Sequence, residues 1–391
     1  MSLHTDYVPF ARPELGSEEE AAVLRVLRSG WLTTGQEAQL FEQEFRECCG
    51  VAHSLAVSSA TGGLHLALEA LGVRSGDRVA LSPYTFAASA EVIRYLDADP
   101  VFVDIEPQSF NIDPLALEQV LAGGTVRAVM PVHIGGYPCD TAKIRRLAAE
   151  HGAAVVEDAA HTFPARERPE GPVAGTGSDA GVFSFYATKT ITTGEGGMLV
   201  CRDPQVAERA EIMRLHGIDR PVWDRYRARK RPHEYEVVAP GYKYNLPDLL
   251  AAIGRVQLRR AGEFQARREA IAAHYLEALR GCAEIMLPPS DRPQSWHLFL
   301  LRLRLERLAI GRDAFISELD EAGVGSSVHY RPLHLMPYYR DRYGLSPSDF
   351  PVSLDTYERC LSLPIYPGLR DEELERVVTA VRSICRKHAR R

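Results

Sequence analysis

The sequence predicts an α/β protein with a large domain, in which a mostly parallel sheet of seven strands lies between helices, and a smaller α+β domain at the C-terminal end. Two observations indicate this fold class. Short apolar segments alternate with amphipathic segments of helical length from about residue 54 to residue 201. A long helical stretch follows at 247–280, and strand-like and helix-like segments then recur. A chain of 391 residues suits two domains, which we place at 1–250 and 251–391.

The first helix is predicted to begin at Ser17. Serine is a favoured N-cap residue, and Glu20 follows it at the spacing of a capping box. This helix reaches about Arg28 and leads into a loop at 29–35.

Seven apolar segments are predicted to form the strands of the large sheet: 53–57, 78–82, 100–104, 127–132, 153–157, 181–185 and 197–201. Helices are predicted between most of them, at 63–71, 87–95, 114–121 and 141–151, and helical crossovers join parallel strands. A polar loop joins the last two strands instead, which predicts one antiparallel pair. In the C-terminal domain we expect strands at 297–305 and 325–329, and helices at 313–322 and 371–388.

Charge and hydropathy exclude two classes of partner. The formal charge of -6 and the lack of a long basic run argue against nucleic acid. No stretch approaches the roughly 20 apolar residues of a membrane span, and residues 1–9 lack the apolar centre of a signal peptide. We therefore expect neither a nucleic-acid nor a membrane partner.

The cysteines and histidines predict neither a disulfide framework nor a metal site. The seven cysteines have no regular spacing, which indicates reduced thiols. The histidines form no H-E-x-x-H motif, and His329 and His334 have no companion cysteine or acid cluster. We expect a cytoplasmic protein without a bound metal.

One lysine follows a strand of the large sheet and enters a glycine-rich loop. The segment G-V-F-S-F-Y-A-T-K-T-I-T-T-G-E-G-G at 181–197 ends its strand in small and hydroxyl residues, among them Ser184, and then presents Lys189. A mostly apolar setting would lower the pKa of this amine, which suits an imine-forming lysine. The alternative is an ordinary lysine of a surface loop.

An acid ends another strand, in V-V-E-D-A-A-H at 155–161. Asp158 is therefore expected at the carboxyl edge of the sheet, where open α/β sheets bind their ligands. If the ligand contains a pyridine ring, this carboxylate would keep the ring nitrogen protonated and preserve the ring as an electron sink. The alternative is an N-cap of the following segment.

Two further turns are predicted at the same edge. In S-S-A-T-G-G-L-H-L-A-L at 58–68, a small-residue turn opens a helix, and its free amides and the helix dipole suit a phosphate group. In S-P-Y-T-F at 82–86, Phe86 offers an aromatic face for stacking. Helix capping and core packing are the alternatives. Four such segments at one edge of one sheet favour a common ligand site.

In this order, the segments resemble the sugar aminotransferases of the DegT/DnrJ/EryC1/StrS family. The resemblance is carried by F-S-F-Y-A-T-K at 183–189 with T-G-E-G-G at 193–197, and by E-D-A-A-H at 157–161. It extends from G-W-L-T-T-G at 30–35 to L-P-I-Y-P-G at 363–368. It implies the aspartate-aminotransferase fold, which is the PLP-dependent transferase fold type I. The implied cofactor is pyridoxal 5'-phosphate (PLP), with pyridoxamine 5'-phosphate (PMP) as its amino form.

The resemblance also implies which residues bind the cofactor. Lys189 would form a Schiff base with PLP, and Asp158 would bind the pyridine nitrogen. Phe86 would stack on the ring, and His161 would lie on the side of the ring hydroxyl, where many members carry glutamine. The implied phosphate contacts within the same subunit are Ser184 and the amides of Thr61 and Gly62.

Two other parts of the chain are similar to family segments. The first, G-Y-K-Y-N-L-P-D-L-L-A-A-I-G at 241–254, implies a homodimer with shared active sites, in which Lys243 or Asn245 contacts the cofactor phosphate of the partner subunit. A turn before the long helix is the alternative. The second, S-S-V-H-Y-R-P-L-H at 326–334, would border the substrate together with the loop at 31–35, although purely structural roles stay open. The implied substrate-side residues are Trp31, Thr33, His329 and Tyr330.

The implied reaction moves an amino group from an amino acid, expected to be L-glutamate, to a nucleotide-linked keto-sugar by a ping-pong mechanism in amino-sugar biosynthesis. A cyclitol ketone as acceptor, or another PLP-dependent modification of a deoxysugar, is the alternative. Related dehydratases carry histidine in place of the lysine, so Lys189 argues against dehydration. A nicotinamide enzyme is disfavoured because G-T-G-S-D-A-G at 175–181 precedes a strand instead of following one.

Overall fold

Two sheets of different size organise the chain. The structure, a computed structural model, describes residues 7–219 and 235–390, so most of the polar segment at 1–9 lies outside the described residues. The large sheet contains β1 (His53–Val57), β2 (Arg78–Leu81), β3 (Asp99–Phe102), β4 (Ala128–Met130), β5 (Ala154–Asp158), β6 (Ala180–Ser184) and β7 (Gly197–Cys201). The small sheet contains β8 (Ile285–Met286), β9 (Phe299–Leu303) and β10 (Cys360–Leu363).

The large sheet is mostly parallel. Its strands lie in the order β1-β7-β6-β5-β4-β2-β3. Strands β3, β2, β4, β5 and β6 run parallel, whereas β7 is antiparallel to both of its neighbours, β6 and β1. The predicted α/β class and the antiparallel pair at the end of the strand series are confirmed. The position of β1 beside β7 could not be inferred from the chain order.

Helices connect the strands of the large sheet as expected, together with two that were not predicted. Within residues 7–219 and 235–247, the α-helices are α1 (Ser17–Ser29), α2 (Gln36–Cys49), α3 (Ala60–Ala70), α4 (Ala87–Tyr95), α5 (Pro114–Ala122), α6 (Thr141–Glu150) and α7 (Pro204–Met213). Helices α2 and α7 are the unpredicted ones. The predicted cap of α1 is wrong by one residue, because Gly16 is the N-cap and its amide donates to Glu19 Oε2 at 2.8 Å.

Successive side chains of each strand point to opposite faces of the large sheet, and helices pack against both faces. Val79 and Leu81 belong to a core that also contains apolar residues of α3, α4 and α7. Ala80, on the opposite face of the same strand, packs with apolar residues of α5 and α6. Gly63 lets α3 approach β6 closely, because a Cβ there would lie 2.7 Å from Val182 Cγ1.

The long helix α8 (Asp248–Ala278) joins the large sheet to the C-terminal elements. These elements include α9 (Arg312–Glu321) and α12 (Asp371–His388), which pack on the small sheet, and α10 (Pro337–Tyr343) and α11 (Pro351–Arg359). Tyr339 of α10 packs in the core of the large sheet instead. The predicted strand at 325–329 is wrong, because the segment makes only a bridge between Ser327 and Ser362. Our proposed domain boundary at 250/251 falls in the first turn of α8.

None of the helices within residues 7–219 and 235–390 combines the length and the apolar character that crossing a bilayer requires.

Candidate active site

A cavity of about 450 Å³ lies at the carboxyl edge of the large sheet. The ends of β5 and β6 and the first turns of α3 and α4 form one side of it, and the segments 297–298 and 329–330 form the other. Most of the residues singled out in the sequence meet here. The ones that line the cavity are Thr61, Phe86, Asp158, His161, Ser184, Lys189, His329 and Tyr330.

Lys189 lies on a loop that many hydrogen bonds fix in place. The Thr193 amide donates to Phe185 O at 2.9 Å, and the Thr190 hydroxyl donates to Phe163 O at 2.6 Å. Burial lowers the pKa of Lys189 from 10.5 to about 8, although the charge of Asp158 opposes this change. A larger fraction of this amine is therefore unprotonated, and nucleophilic, at neutral pH than for an ordinary lysine.

Asp158 is a buried carboxylate held by two hydrogen bonds. Its Oδ2 accepts from the Ser89 hydroxyl at 2.8 Å, and its Oδ1 accepts from the Ala160 amide at 3.1 Å. The Ser89 hydroxyl also lies 2.9 Å from Thr85 Oγ1. Burial raises the pKa of Asp158, while the bonds from Ser89 and Ala160 and the charge of Lys189 oppose this rise. The result is an acid of fixed orientation at the base of the cavity.

Sequence reasoning missed Thr85 and Ser89 as part of this site. Thr85 precedes the N-cap Phe86, and Ser89 lies in the first turn of α4, so both lie at the start of the helix. A threonine in the strand-end turn at 82–86, followed four residues later by a serine, was the signal that could have found them.

The first turn of α3 faces the cavity. Ser59 is the N-cap, and its hydroxyl oxygen accepts from the Gly62 amide at 3.1 Å. Thr61 lines the cavity together with Ser59 and Ala60, whereas Gly62 lies behind them against the ring of Tyr244. The positive end of the helix dipole and the Ser184 hydroxyl of β6 are thus available to an anion.

The segments 297–298 and 329–330, together with Phe86 and His161, give the cavity an aromatic and polar region without a formal charge. The Phe86 ring is 60% exposed and lies 6.0 Å from the Tyr330 ring. His329 Nδ1 shares a hydrogen bond of 2.8 Å with the Ser362 hydroxyl, and burial lowers the pKa of His329 to about 4. Burial also holds the pKa of His161 and of His297 well below the ordinary value, so these imidazoles are neutral at physiological pH.

His297 is a lining residue that the sequence did not reveal. Its ring packs 4.4 Å from that of His161, and its Nδ1 is buried with no hydrogen-bond partner within the described ranges. It comes from the C-terminal part of the chain, and only tertiary packing brings it to the cavity.

Besides Gly62, four of the predicted site residues do not line this cavity. Asn245 pairs with Val57 at the end of β1, and its Nδ2 donates to Thr34 Oγ1 at 2.6 Å. Lys243 Nζ donates to Asn245 Oδ1. Trp31 Nε1 donates to Thr34 O at 3.3 Å, and Thr33 is exposed. These hydrogen bonds join residues 31–35 and 243–245 into one surface, which we call the loop surface.

The chain is similar to known proteins along almost its whole length. The model of the DegT/DnrJ/EryC1/StrS aminotransferase family matches residues 13–382. The chain belongs to this family. The match spans both sheets and all of the residues that line the cavity except Phe10 and Ala11.

Individual relatives agree with this assignment. The spore coat polysaccharide biosynthesis protein SpsC of Bacillus subtilis (strain 168) is 41% identical over 381 residues, which cover 97% of each protein. The sugar aminotransferase Spr1654 of Streptococcus pneumoniae, in its PMP form, has a TM-score of 0.90 at 29% identity and covers 97% of this chain and 99% of that one. PseC of Helicobacter pylori, an aminotransferase of pseudoaminic acid biosynthesis, has a TM-score of 0.90 at 27% identity, with 98% and 100% covered.

The protein is therefore a PLP-dependent sugar aminotransferase with fold type I, as the sequence predicted. Its cavity has the chemistry that this cofactor needs. It contains an amine of lowered pKa, a buried carboxylate for the ring nitrogen, a helix N-terminus for the phosphate and an exposed aromatic face.

Proposed function

We propose that the enzyme moves the amino group of L-glutamate onto a nucleotide-linked keto-sugar by a ping-pong mechanism, as a step of amino-sugar biosynthesis. The observation that carries the proposal is the amine of Lys189, with its pKa lowered to about 8, in the same cavity as the Asp158 carboxylate. Membership of the family supports a sugar as the acceptor.

Lys189 and Asp158 carry the chemistry in this proposal. When bound, PLP supplies the carbonyl group that takes up the amino group and an electron-withdrawing ring. Lys189 Nζ holds the cofactor between turnovers and moves the proton at the α-carbon of the donor, because its pKa of about 8 suits a base at neutral pH. The Asp158 carboxylate, oriented by Ser89 and by the Ala160 amide, keeps a proton on the ring nitrogen.

The remaining cofactor contacts follow from the cavity wall. The Ser184 hydroxyl and the first turn of α3, with the amides of Thr61 and Gly62, would bind the phosphate. The exposed Phe86 ring packs on the cofactor ring. His161 lies on the side of the ring hydroxyl.

We propose a homodimer in which the loop surface completes the active site of the partner subunit. Lys243 and Asn245 lie outside the cavity of their own subunit, and Asn245 is bonded to Thr34 of the loop that carries Trp31 and Thr33. These hydrogen bonds hold the two segments of the loop surface together. In this arrangement Lys243 or Asn245 binds the cofactor phosphate of the partner, and Trp31 and Thr33 border its substrate with His329 and Tyr330.

A cytoplasmic location is also part of the proposal. All seven cysteines lie within the described residues, and none of them forms a disulfide. Unpaired thiols such as the exposed Cys48 are typical of a reducing compartment.

A substrate screen tests the proposed function. Nucleotide-linked 3-keto and 4-keto sugars are incubated with the enzyme and either glutamate or glutamine, and the products are identified by mass spectrometry. We expect a nucleotide-linked amino sugar with glutamate as donor. Amination of cyclitol ketones alone, with every nucleotide-linked ketone unchanged, would contradict the proposal.

A further inference from the structure

A hydrogen-bond chain of fixed direction runs from the large domain to Tyr330. The Gly135 amide donates to His161 Nδ1 at 3.3 Å, and His161 Nε2 lies 3.1 Å from the Tyr330 hydroxyl. The imidazole is neutral, because burial and the nearby positive charge of Lys189 hold the pKa of His161 well below its ordinary value. A neutral imidazole whose Nδ1 accepts a hydrogen bond carries its proton on Nε2. His161 therefore donates to Tyr330.

The Tyr330 hydroxyl is available to donate a hydrogen bond into the cavity. Its oxygen accepts from His161, so its own hydrogen points elsewhere, and no group within residues 7–219 and 235–390 accepts that hydrogen. The side chain lines the cavity. Burial and the charge of Asp158 raise the pKa of Tyr330, so the hydroxyl stays protonated. Tyr330 is thus an oriented donor without an acceptor.

The Tyr330 hydroxyl, at the end of this hydrogen-bond chain, belongs to the same cavity lining as Asp158 and Lys189. The charge of Asp158 acts on Tyr330, and the charge of Lys189 acts on His161. An oxygen that only accepts hydrogen bonds is the matching ligand group. The ketone oxygen of a keto-sugar has this property, whereas its hydroxyl groups both donate and accept.

We propose that Tyr330 donates a hydrogen bond to the ketone oxygen of the acceptor sugar, and that His161 is the positioning residue that directs it. The bond withdraws electrons from the carbonyl carbon, which makes that carbon a better target for an amino group. No proton leaves the tyrosine in this role. The inference rests on the proposed function, because it requires a ketone as the second substrate.

Three variants separate the two residues. Tyr330→Phe keeps the ring and removes the donor. His161→Leu removes both contacts of the imidazole, and His161→Gln keeps one acceptor and one donor. For Tyr330→Phe we expect kcat/KM for the acceptor half-reaction to fall about ten-fold, the usual effect of one lost hydrogen bond. His161→Leu should show a similar loss, and His161→Gln should retain most of the wild-type rate.

Two further measurements identify the acceptor of the hydrogen bond from Tyr330. The rate of the glutamate half-reaction and the pH titration of the visible absorbance of the PLP-loaded enzyme, without substrates, should be the same in Tyr330→Phe and wild type. A shifted titration midpoint would assign the donor to the ring oxygen of the cofactor and overturn the inference. An equal loss in both half-reactions would overturn it too.

The outcome is distinguishable from failure of the proposed function. If wild-type enzyme does not react with glutamate or with any nucleotide-linked ketone, the proposed function fails before any variant is compared. If wild type aminates such a ketone and Tyr330→Phe does so at an unchanged rate, only the role of Tyr330 is lost. Should His161→Leu fail to fold, Tyr330→Phe and His161→Gln still decide the matter.

Discussion

At the scale of single residues, burial sets the reactivity of the cavity. Burial removes water from the amine of Lys189 and from the carboxylate of Asp158, and it shifts each pKa in the direction that favours the neutral form. The pKa of the lysine falls to about 8, and the pKa of the acid rises. The hydrogen bonds from Ser89 and Ala160 limit the change at Asp158. A carboxyl group of fixed orientation in the same cavity as an amine of lowered pKa is the combination that the proposed chemistry needs.

The lowered pKa of Lys189 predicts how cofactor attachment depends on pH. Only the unprotonated amine attacks a carbonyl, so the rate at which PLP binds covalently to apoenzyme should rise with pH, with a midpoint of about 8. Stopped-flow measurement of the visible absorbance over a pH series gives this midpoint. In Asp158→Asn the carboxylate that raises the pKa is absent, so the midpoint should be lower still. A midpoint near the ordinary value of 10.5 would contradict burial of the amine.

Replacing the lysine predicts a complete loss of function. Lys189→Ala should abolish turnover and remove the visible absorbance of the lysine-bound cofactor. Lys143→Ala, in α6 and away from the cavity, is the control and should behave as wild type. Transamination by Lys189→Ala at a rate near that of wild type would refute the assignment.

A milder result is expected for the acid. Asp158→Asn keeps the size of the side chain but cannot hold a proton on the ring nitrogen, so kcat should fall about a hundred-fold or more. Cofactor should be retained, because Lys189 and the phosphate contacts remain. Steady-state kinetics and absorbance of the purified variant check both points, and unchanged kinetics would remove Asp158 from the site.

The sequence identified those site residues that follow a strand. Asp158 and Ser184 end strands, and Lys189 lies in the loop that follows one, so each could be placed at one edge of the sheet from local pattern alone. Ser89 lies inside a helix, and His297 comes from the C-terminal part of the chain. No short-range pattern connects such residues with the site, because their positions depend on tertiary packing.

At the scale of elements, periodicity predicted most of the helices and strands. Helix α2 was missed although its buried residues Ala38, Phe41, Phe45 and Cys49 recur every three or four positions, which is a helical signal. The segment at 325–329 was predicted as a strand, but it makes only one bridge to the small sheet and instead brings His329 and Tyr330 to the cavity. Because this extended segment has the residue composition of a strand, the sequence pattern did not distinguish it from one.

The loop surface depends on one carboxylate, which gives a stability prediction. Asp248 is 3% exposed, and its carboxylate accepts from the amides of Gly35 at 2.7 Å, Ala38 at 3.0 Å and Glu37 at 3.2 Å. Asp248→Ala leaves these amides without their partner, so the free energy of unfolding should fall by about 2–3 kcal/mol.

The matched control for that variant is an exposed helix cap. Asp113 accepts from the Leu115 amide at 2.8 Å at the start of α5, and Asp113→Ala should cost only about 1 kcal/mol. Urea unfolding of both variants compares them directly. A loss in Asp248→Ala no larger than in Asp113→Ala would show that the carboxylate does not hold the loop.

At the scale of the whole molecule, the sequence predicted a large sheet and a smaller α+β domain, but not how they combine. The cavity takes one wall from the large sheet and the other from the segments around His297 and Tyr330, which are more than a hundred residues away along the chain from Lys189. Contacts such as that of the Tyr84 hydroxyl with His329 O, at 2.6 Å, fix the two walls relative to each other. The order of residues along the chain does not predict such contacts.

The proposed sharing of active sites predicts complementation between inactive variants. One subunit carries Lys189→Ala, and the other carries Lys243→Ala with Asn245→Ala. Each homodimer should be inactive or strongly impaired. A mixed dimer contains one cavity with both Lys189 and an intact loop surface from its partner, so random mixing should restore about a quarter of the wild-type activity. No recovery after mixed dimers have been verified with two affinity tags would contradict sharing.

The most direct test of the central claim is to find which lysine carries the cofactor. The chain has five lysines, at 143, 189, 230, 243 and 387, so every alternative can be resolved in one peptide map. The PLP-loaded enzyme is reduced with borohydride, which fixes the cofactor to its amine, and is then digested and sequenced by mass spectrometry. The account predicts a pyridoxyl group on Lys189 alone. A pyridoxyl group on any of the other four lysines, with Lys189 unmodified, would contradict it.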